Sequence, residues 1–119
     1  MKSILNFIIS SERINLKLGM VLSLAAGIYV AALQPDILGF YHDDGVYAVT
    51  AKALAEGKGY RIISLPEEPT QMTYPIFYPL VLSAVWRVFP DFPANIPALK
   101  APSIIFALLF LWVTYHYLT

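Results

Sequence analysis

Three apolar runs alternate with more polar segments along the chain. They cover residues 16–33, 75–89 and 101–119. Eighteen helical residues rise about 27 Å, which is close to the roughly 30 Å thickness of the hydrocarbon core of a bilayer. The pattern predicts an all-α integral membrane protein with about three transmembrane helices.

The charges before the first run predict its orientation. Lys2, Arg13 and Lys17 precede or open the run, and the positive-inside rule then places the amino terminus in the cytoplasm. The apolar residues 4–9 are expected to lie along the inner interface. A cleaved signal peptide is the alternative, because residues 30–32 are small, but the run is longer than the usual signal core of about 7 to 15 residues.

The polar segment at residues 34–74 is predicted to be an external loop. Apolar residues recur within it at three- and four-residue steps over residues 44–56, which predicts a short amphipathic juxtamembrane helix. Asp43 or Asp44 is the expected N-cap of this helix, and Gly57 is the expected C-cap.

Prolines set the limits of the later elements. Residues 61–65 predict a short strand that ends before a turn. The second apolar run opens with Pro75 and Pro79, so its helix is expected to begin at residues 76–78 and to be short for a span. Four prolines within residues 90–102 predict a cytoplasmic turn rather than a continuous helix.

Composition narrows the possible functions. Apolar residues make up 58% of the chain and charged residues only 13%, whereas soluble domains carry about 25% charged residues. The net charge is zero and Lys and Arg are not clustered, so nucleic acid is not an expected partner. Cysteine is absent, which excludes disulfides and thiolate metal sites. The histidines His42 and His116 are far apart in the sequence, so no histidine-based metal site is predicted.

The candidate chemistry lies directly after the first apolar run. Asp43 and Asp44 place two adjacent carboxylates near the outer membrane interface, where one of them is a candidate general base. The alternative is a structural role, with one carboxylate capping the helix and the other exposed to solvent.

Residues 40–82 combine several features in one order. The acidic pair is followed by Tyr47, an Ala/Leu-rich helix, the GKGY turn at residues 57–60, and a Tyr-Pro-x-x-Tyr-Pro sequence at residues 74–79. This order resembles the first external loop of the GT-C glycosyltransferases that are related to protein O-mannosyltransferases and lipid A aminoarabinose transferases.

The resemblance implies a reaction and roles for five residues. A sugar would pass, with inversion, from a polyprenyl-phosphate-linked donor to an acceptor hydroxyl at the outer membrane face. Asp43 would be the catalytic base, and Asp44 would orient it or bind substrate. Tyr47, Tyr74 and Tyr78 are the expected substrate-binding residues, although helix entry and interfacial anchoring are the alternative for the last two.

One feature of the family is missing here. Some relatives carry Lys-Pro-Pro where this chain has Tyr-Pro-Ile at residues 74–76, and in them the lysine is a candidate contact to the lipid phosphate. The group that would bind the phosphate is therefore unassigned. Lys58 and Arg61 are the nearby cations.

The resemblance also implies a setting for the chain. It is expected to be the amino-terminal part of a truncated GT-C fold in a bacterial inner membrane, and to be inactive alone. Its expected partners are membrane lipid, the lipid-linked sugar donor and the remainder of the enzyme. No cofactor is predicted with certainty, a divalent metal stays open, and the sugar and acceptor are not indicated. The alternative is a small non-catalytic membrane scaffold or regulatory subunit.

Overall fold

A computed structural model describes residues 2–39 and 42–118, with side chains from residue 15 onward. This part of the chain forms four helices and no strand, which confirms the all-α prediction. The helices are α1 (Lys2–Ala32), α2 (His42–Ala55), α3 (Phe77–Val88) and α4 (Ile96–Leu118). Contacts divide the chain into a first unit, Met1–Leu33 with Ser103–Thr119, and a second unit, Gln34–Pro102.

Two helices are long and apolar enough to cross a membrane. They contain the windows Asn15–Ala32 and Ile96–Leu118, of which only 6% and 17% is buried. A core helix of a soluble protein would be mostly buried, and these two windows are not. Helix α1 begins at Lys2, and residues 4–9 therefore continue the first apolar helix.

Helix α3 is much shorter than the span predicted at residues 75–89. Its 12 residues rise about 18 Å, which is less than the hydrocarbon core requires. It begins at Phe77, within the predicted limits, and Pro79 lies in its first turn. The described residues thus contain two helices of spanning length rather than three.

Helix α4 begins earlier than predicted. The prolines were expected to keep residues 90–102 from being helical, yet the helix starts at Ile96 and passes through Pro102. Pro97 is accommodated in the first turn, where an N–H would have no helical partner. Pro102 costs the helix one hydrogen bond to the carbonyl four residues earlier. The proline-rich turn is confined to the residues before Ile96.

The core of the second unit lies between α2 and α3. Its buried cluster consists of Ala51, Leu82, Trp86 and Leu99. Alanine on α2 allows α3 to approach closely, and the Trp86 indole N–H donates a 3.0 Å hydrogen bond to the Ala48 carbonyl oxygen. Burial of a large aromatic side chain and satisfaction of its polar atom are thereby achieved together.

Helix α2 ends in a Schellman motif. The Lys58 N–H bonds to the Ala53 carbonyl at 2.9 Å, and the Gly57 N–H bonds to the Leu54 carbonyl at 3.2 Å. Gly57 has a φ of +74°, which a residue without a Cβ adopts at little cost. The predicted C-cap glycine is confirmed.

The strand predicted at residues 61–65 is wrong. The described chain has only a single antiparallel bridge there, between Arg61 and Thr70. The backbone turns over residues 63–67, and Glu67 and Glu68 both have positive φ values. The turn begins too soon after Arg61 for a strand to form.

Candidate functional site

Asp43 lies in the first turn of α2, at a position exposed to solvent. The Tyr74 hydroxyl donates a short hydrogen bond to Asp43 Oδ1. Tyr74 belongs to the segment that leads into α3, so the fold joins two predicted site residues that are 31 positions apart. The positive end of the α2 dipole also favours a carboxylate at this position.

Asp44 has a different role from its neighbour. Its Oδ2 accepts the Gly39 N–H at 3.0 Å, and its Oδ1 accepts the Gly45 N–H at 2.8 Å. Both carboxylate oxygens therefore fix the backbone around the start of α2. The helix already includes His42, so the two acids lie in the first turn and neither is the N-cap that the sequence predicted.

Tyr47 packs between Tyr74, which donates to Asp43, and Tyr78. The Tyr47 ring is edge-on to the Tyr74 ring with centroids 5.3 Å apart, and edge-on to the Tyr78 ring with centroids 5.5 Å apart. These distances are typical of favourable aromatic pairs. The fold thus brings together all three tyrosines predicted to bind substrate, next to the predicted base.

Tyr60 is a further member of this tyrosine cluster that was not predicted. Its hydroxyl donates a 2.9 Å hydrogen bond to the Tyr74 carbonyl oxygen and so holds the segment that carries Tyr74. Burial raises the pKa of Tyr60, and the nearby Tyr47 adds to the effect. Tyr60 closes the GKGY turn that contributes to the resemblance, but no site role was predicted for it.

Tyr74 keeps its proton more strongly than an ordinary tyrosine. Its pKa is raised above 10.0, first because the hydroxyl donates to Asp43, and then through burial and the charges of Asp43 and Tyr47. Only the protonated tyrosine can donate this hydrogen bond to the Asp43 carboxylate.

The two cations near the predicted site, Lys58 and Arg61, already have partners. Lys58 Nζ lies 3.4 Å from Glu56 Oε2 and 3.6 Å from Glu68 Oε1, and its pKa is raised chiefly by the hydrogen bond to Glu56. Arg61 donates to the Glu68 carbonyl oxygen at 3.2 Å. Both residues stabilise the loop after α2, and neither joins the tyrosine cluster in the contacts described here.

One face of α2 opens on two adjacent apolar cavities. They have volumes of about 320 Å³ and 440 Å³. Both are bordered by Gly39, Gly45 and Val49, with Lys52 on the first and His42 on the second. A Cβ at Gly45 would lie 3.5 Å from the Gly39 Cα, so the glycine lets the segment before α2 lie close against the helix. The α2 residues that line the cavities recur at helical spacing and therefore share one face of the helix. The cavities offer room for an apolar group next to the start of α2, where the acidic pair lies.

The segment that carries the resemblance is described except for its first two residues. Phe40 and Tyr41, which open the segment that carries the resemblance, lie outside the described residues. Within the described residues, no three His, Asp or Glu side chains are grouped so that they could hold a metal ion.

Comparisons with protein families, with curated proteins and with solved structures find no match for this chain. The second unit holds all the residues that the resemblance selects. Its distinctive feature is an exposed carboxylate held by one tyrosine and flanked by others.

Proposed function

We propose that this chain supplies the first external loop, with the catalytic base, of a GT-C-type membrane glycosyltransferase. The observation that carries the proposal is the contact between Asp43 and Tyr74 beside Tyr47 and Tyr78. These are the residues that the family resemblance selects, and they come from two separate stretches of the chain, residues 43–47 and 74–78. A general base needs an accessible carboxylate in a fixed position, and Asp43 has both properties.

The proposed reaction assigns a task to each oxygen of Asp43. Tyr74 holds Oδ1, so the acceptor hydroxyl is expected at Oδ2. As the acceptor oxygen attacks C1 of the sugar, Asp43 takes its proton and the bond between C1 and the phosphate oxygen breaks. Polyprenyl phosphate leaves with the electron pair, and C1 is inverted. Asp44 positions the base through its bonds to the backbone of Gly39 and Gly45.

The surroundings of the base suit an amphipathic donor. Aromatic side chains with a few fixed polar groups are typical of small-molecule sites, and the tyrosine cluster has this composition. The apolar cavities along α2 would accept part of the isoprenoid chain. The proposed setting is a bacterial inner membrane with a cytoplasmic amino terminus, which the early cations Lys2, Arg13 and Lys17 support.

A non-catalytic scaffold is the second candidate. It is favoured by the large exposed apolar side chains on both long helices, such as Leu24 at 68% and Phe110 at 69%, because such side chains can pack against the helices of a partner as well as against lipid. In that case the Asp43 carboxylate would have no chemical role.

The test uses the natural cell and requires no knowledge of the sugar. Asp43→Asn is placed in the chromosomal copy, and lipid extracts are analysed by mass spectrometry for polyprenyl-phosphate-linked sugars. We expect one such donor to accumulate as it does in a strain that lacks the gene, since loss of a general base slows reactions by about 10² to 10⁴-fold.

Asp36→Asn is the matched control, because Asp36 is an exposed acid before α2 with no assigned role. It should leave donor levels unchanged. Unchanged donor levels in the strain without the gene would contradict sugar transfer. Accumulation there, but not with Asp43→Asn at equal protein level, would contradict the assignment of Asp43 as the base.

A further inference from the structure

The two ends of the second unit meet. Lys100 Nζ, in the first turns of α4, donates a 2.6 Å hydrogen bond to the carbonyl oxygen of Gln34. The residues in between form α2, the loop after it, α3 and the proline-rich turn. The chain therefore enters and leaves this unit at one place.

This contact is incompatible with a membrane crossing by α3. Under the three-span prediction, Gln34 is external and Lys100 is cytoplasmic, so a hydrocarbon core of about 30 Å would separate them. A hydrogen bond cannot extend over that distance. The 12 residues of α3 are also too few to cross. Both observations place Gln34 and Lys100 on one side.

Helix α3 nevertheless has an exposed apolar face besides its buried one. Pro79, Leu82, Ser83 and Trp86 are buried, and they repeat at the three- and four-residue steps of one helix face. On the opposite face, Leu80 is 48% exposed and Val88 is 86% exposed. Ala84 and Phe77 extend the exposed face. Burial of one face against the core of the unit leaves the second face in need of apolar surroundings.

We propose that α3 lies in the membrane interface, with the outer face defined by Phe77, Leu80, Ala84 and Val88 in contact with lipid, and that it does not cross the bilayer. The occupant of this face is the lipid surface itself. Helix α1 ends at Ala32, just before the unit, and α4 begins inside the unit at Ile96 and continues beyond its last residue, Pro102. A lipid surface is therefore close to both ends of the unit.

Arg87 fits this position. It is exposed near the end of α3, on the flank of the outer face, where a long cationic side chain reaches the headgroup region while its aliphatic part stays among apolar groups. A helix that is apolar on its lipid side and cationic at the flank is typical of interfacial segments.

Sidedness is the first test. The natural chain has no cysteine, so single cysteines can be placed at Ser64, in the loop after α2, and at Ala94, between α3 and α4. Both positions are exposed. Intact spheroplasts are treated with a membrane-impermeant maleimide, and lysed samples give the total reactivity. We expect the same side to be labelled at both positions. Labelling from opposite sides would overturn the proposal.

Depth is the second test. Nitroxides are attached at Leu80→Cys and Val88→Cys in phosphatidylglycerol/phosphatidylethanolamine vesicles, with Thr70→Cys, in the exposed loop, as the control. Collision with oxygen should exceed collision with a water-soluble nickel chelate several-fold at positions 80 and 88, and the order should reverse at position 70.

Two results would overturn lipid contact. One is a dominant nickel signal at positions 80 and 88. The other is spin–spin broadening that persists as the protein is diluted in lipid, since it would identify a second copy of the chain as the occupant. Neither test requires sugar transfer, so the outcome is independent of the proposed function.

Discussion

The two short helices and the two long helices use apolar residues in opposite ways. Helices α2 and α3 have 14 and 12 residues, yet they carry most of the buried core, including Ala51 and Ala53 at 0% exposure. Helices α1 and α4 have 31 and 23 residues, and few of their described side chains are buried. Helices of the first kind depend on specific packing, whereas the second kind need only length and an apolar solvent.

The largest expected effect compares the two tryptophans. Trp86 is 6% exposed and bonded to Ala48, whereas Trp112 on α4 is 45% exposed. Trp86→Ala should lower the free energy of unfolding of the second unit by about 3 to 5 kcal/mol, and Trp112→Ala should lower it by less than about 1 kcal/mol. Both changes can be measured in detergent micelles from the urea dependence of tryptic cleavage after Lys58 and Arg61.

Trp86→Phe separates packing from hydrogen bonding. It keeps an aromatic ring but leaves the buried Ala48 carbonyl without the indole donor, so it should cost about 1 to 3 kcal/mol. Equal resistance to cleavage for the Trp86→Ala and Trp112→Ala variants would contradict the view that α2 and α3 are held by their shared core.

The next effect compares two glycines. Gly57→Ala forces a Cβ into the left-handed region and should cost about 1 to 2 kcal/mol. Gly19 lies inside α1 with no atom within 4 Å of an added Cβ, and Gly19→Ala should be neutral or stabilising by up to about 1 kcal/mol. The effect of Gly57→Ala is measured with the same unfolding assay. The effect of Gly19→Ala is measured as helix content by circular dichroism. A tolerated Gly57→Ala would mean that α2 does not need its Schellman motif.

The smallest effect concerns the site at high pH. Because the folded pKa of Tyr74 is raised, the folded state keeps this proton longer than the unfolded chain does. The stabilisation is fully present below about pH 10 and is lost as the pH rises through the folded pKa. Tyrosinate absorbance, with Tyr74→Phe as the difference reference, should show this late titration. Asp43→Asn should move the titration to lower pH, and an unmoved titration would contradict the contact.

The sequence was sufficient where local chemistry decides the structure. The spacing of apolar residues predicted α2, and Gly57 predicted its end, because both are properties of a single helix. The acidic pair and the three tyrosines were selected by resemblance, and the fold brings Asp43 and these tyrosines together. Their roles in catalysis and substrate binding stay predictions.

The errors occurred where distant residues decide. The bond between Trp86 and Ala48 joins positions 38 apart, and no local pattern shows that α3 packs in this way. Pro102 would be expected to stop a helix, yet α4 passes through it. Leu99, in the turn before Pro102, is buried in the core cluster with residues of α2 and α3, and this burial offsets the one backbone hydrogen bond that Pro102 removes. Tyr60 was overlooked because its hydroxyl bonds to the backbone carbonyl of Tyr74. Every residue has a backbone carbonyl, so the partner of such a bond cannot be recognised from the residue types in the sequence.

The hydrogen bond between Lys100 and Gln34 gives the second unit the character of an inserted cassette. When the two ends of a segment are adjacent, the segment can become longer or shorter, or be replaced, while the gap between the flanking parts of the chain stays the same. For the same reason its chain can in principle be opened at another exposed turn, such as residues 63–67, and joined at the old ends. Chemistry in such a cassette can diversify while the apolar helices that adjoin it in sequence keep their length.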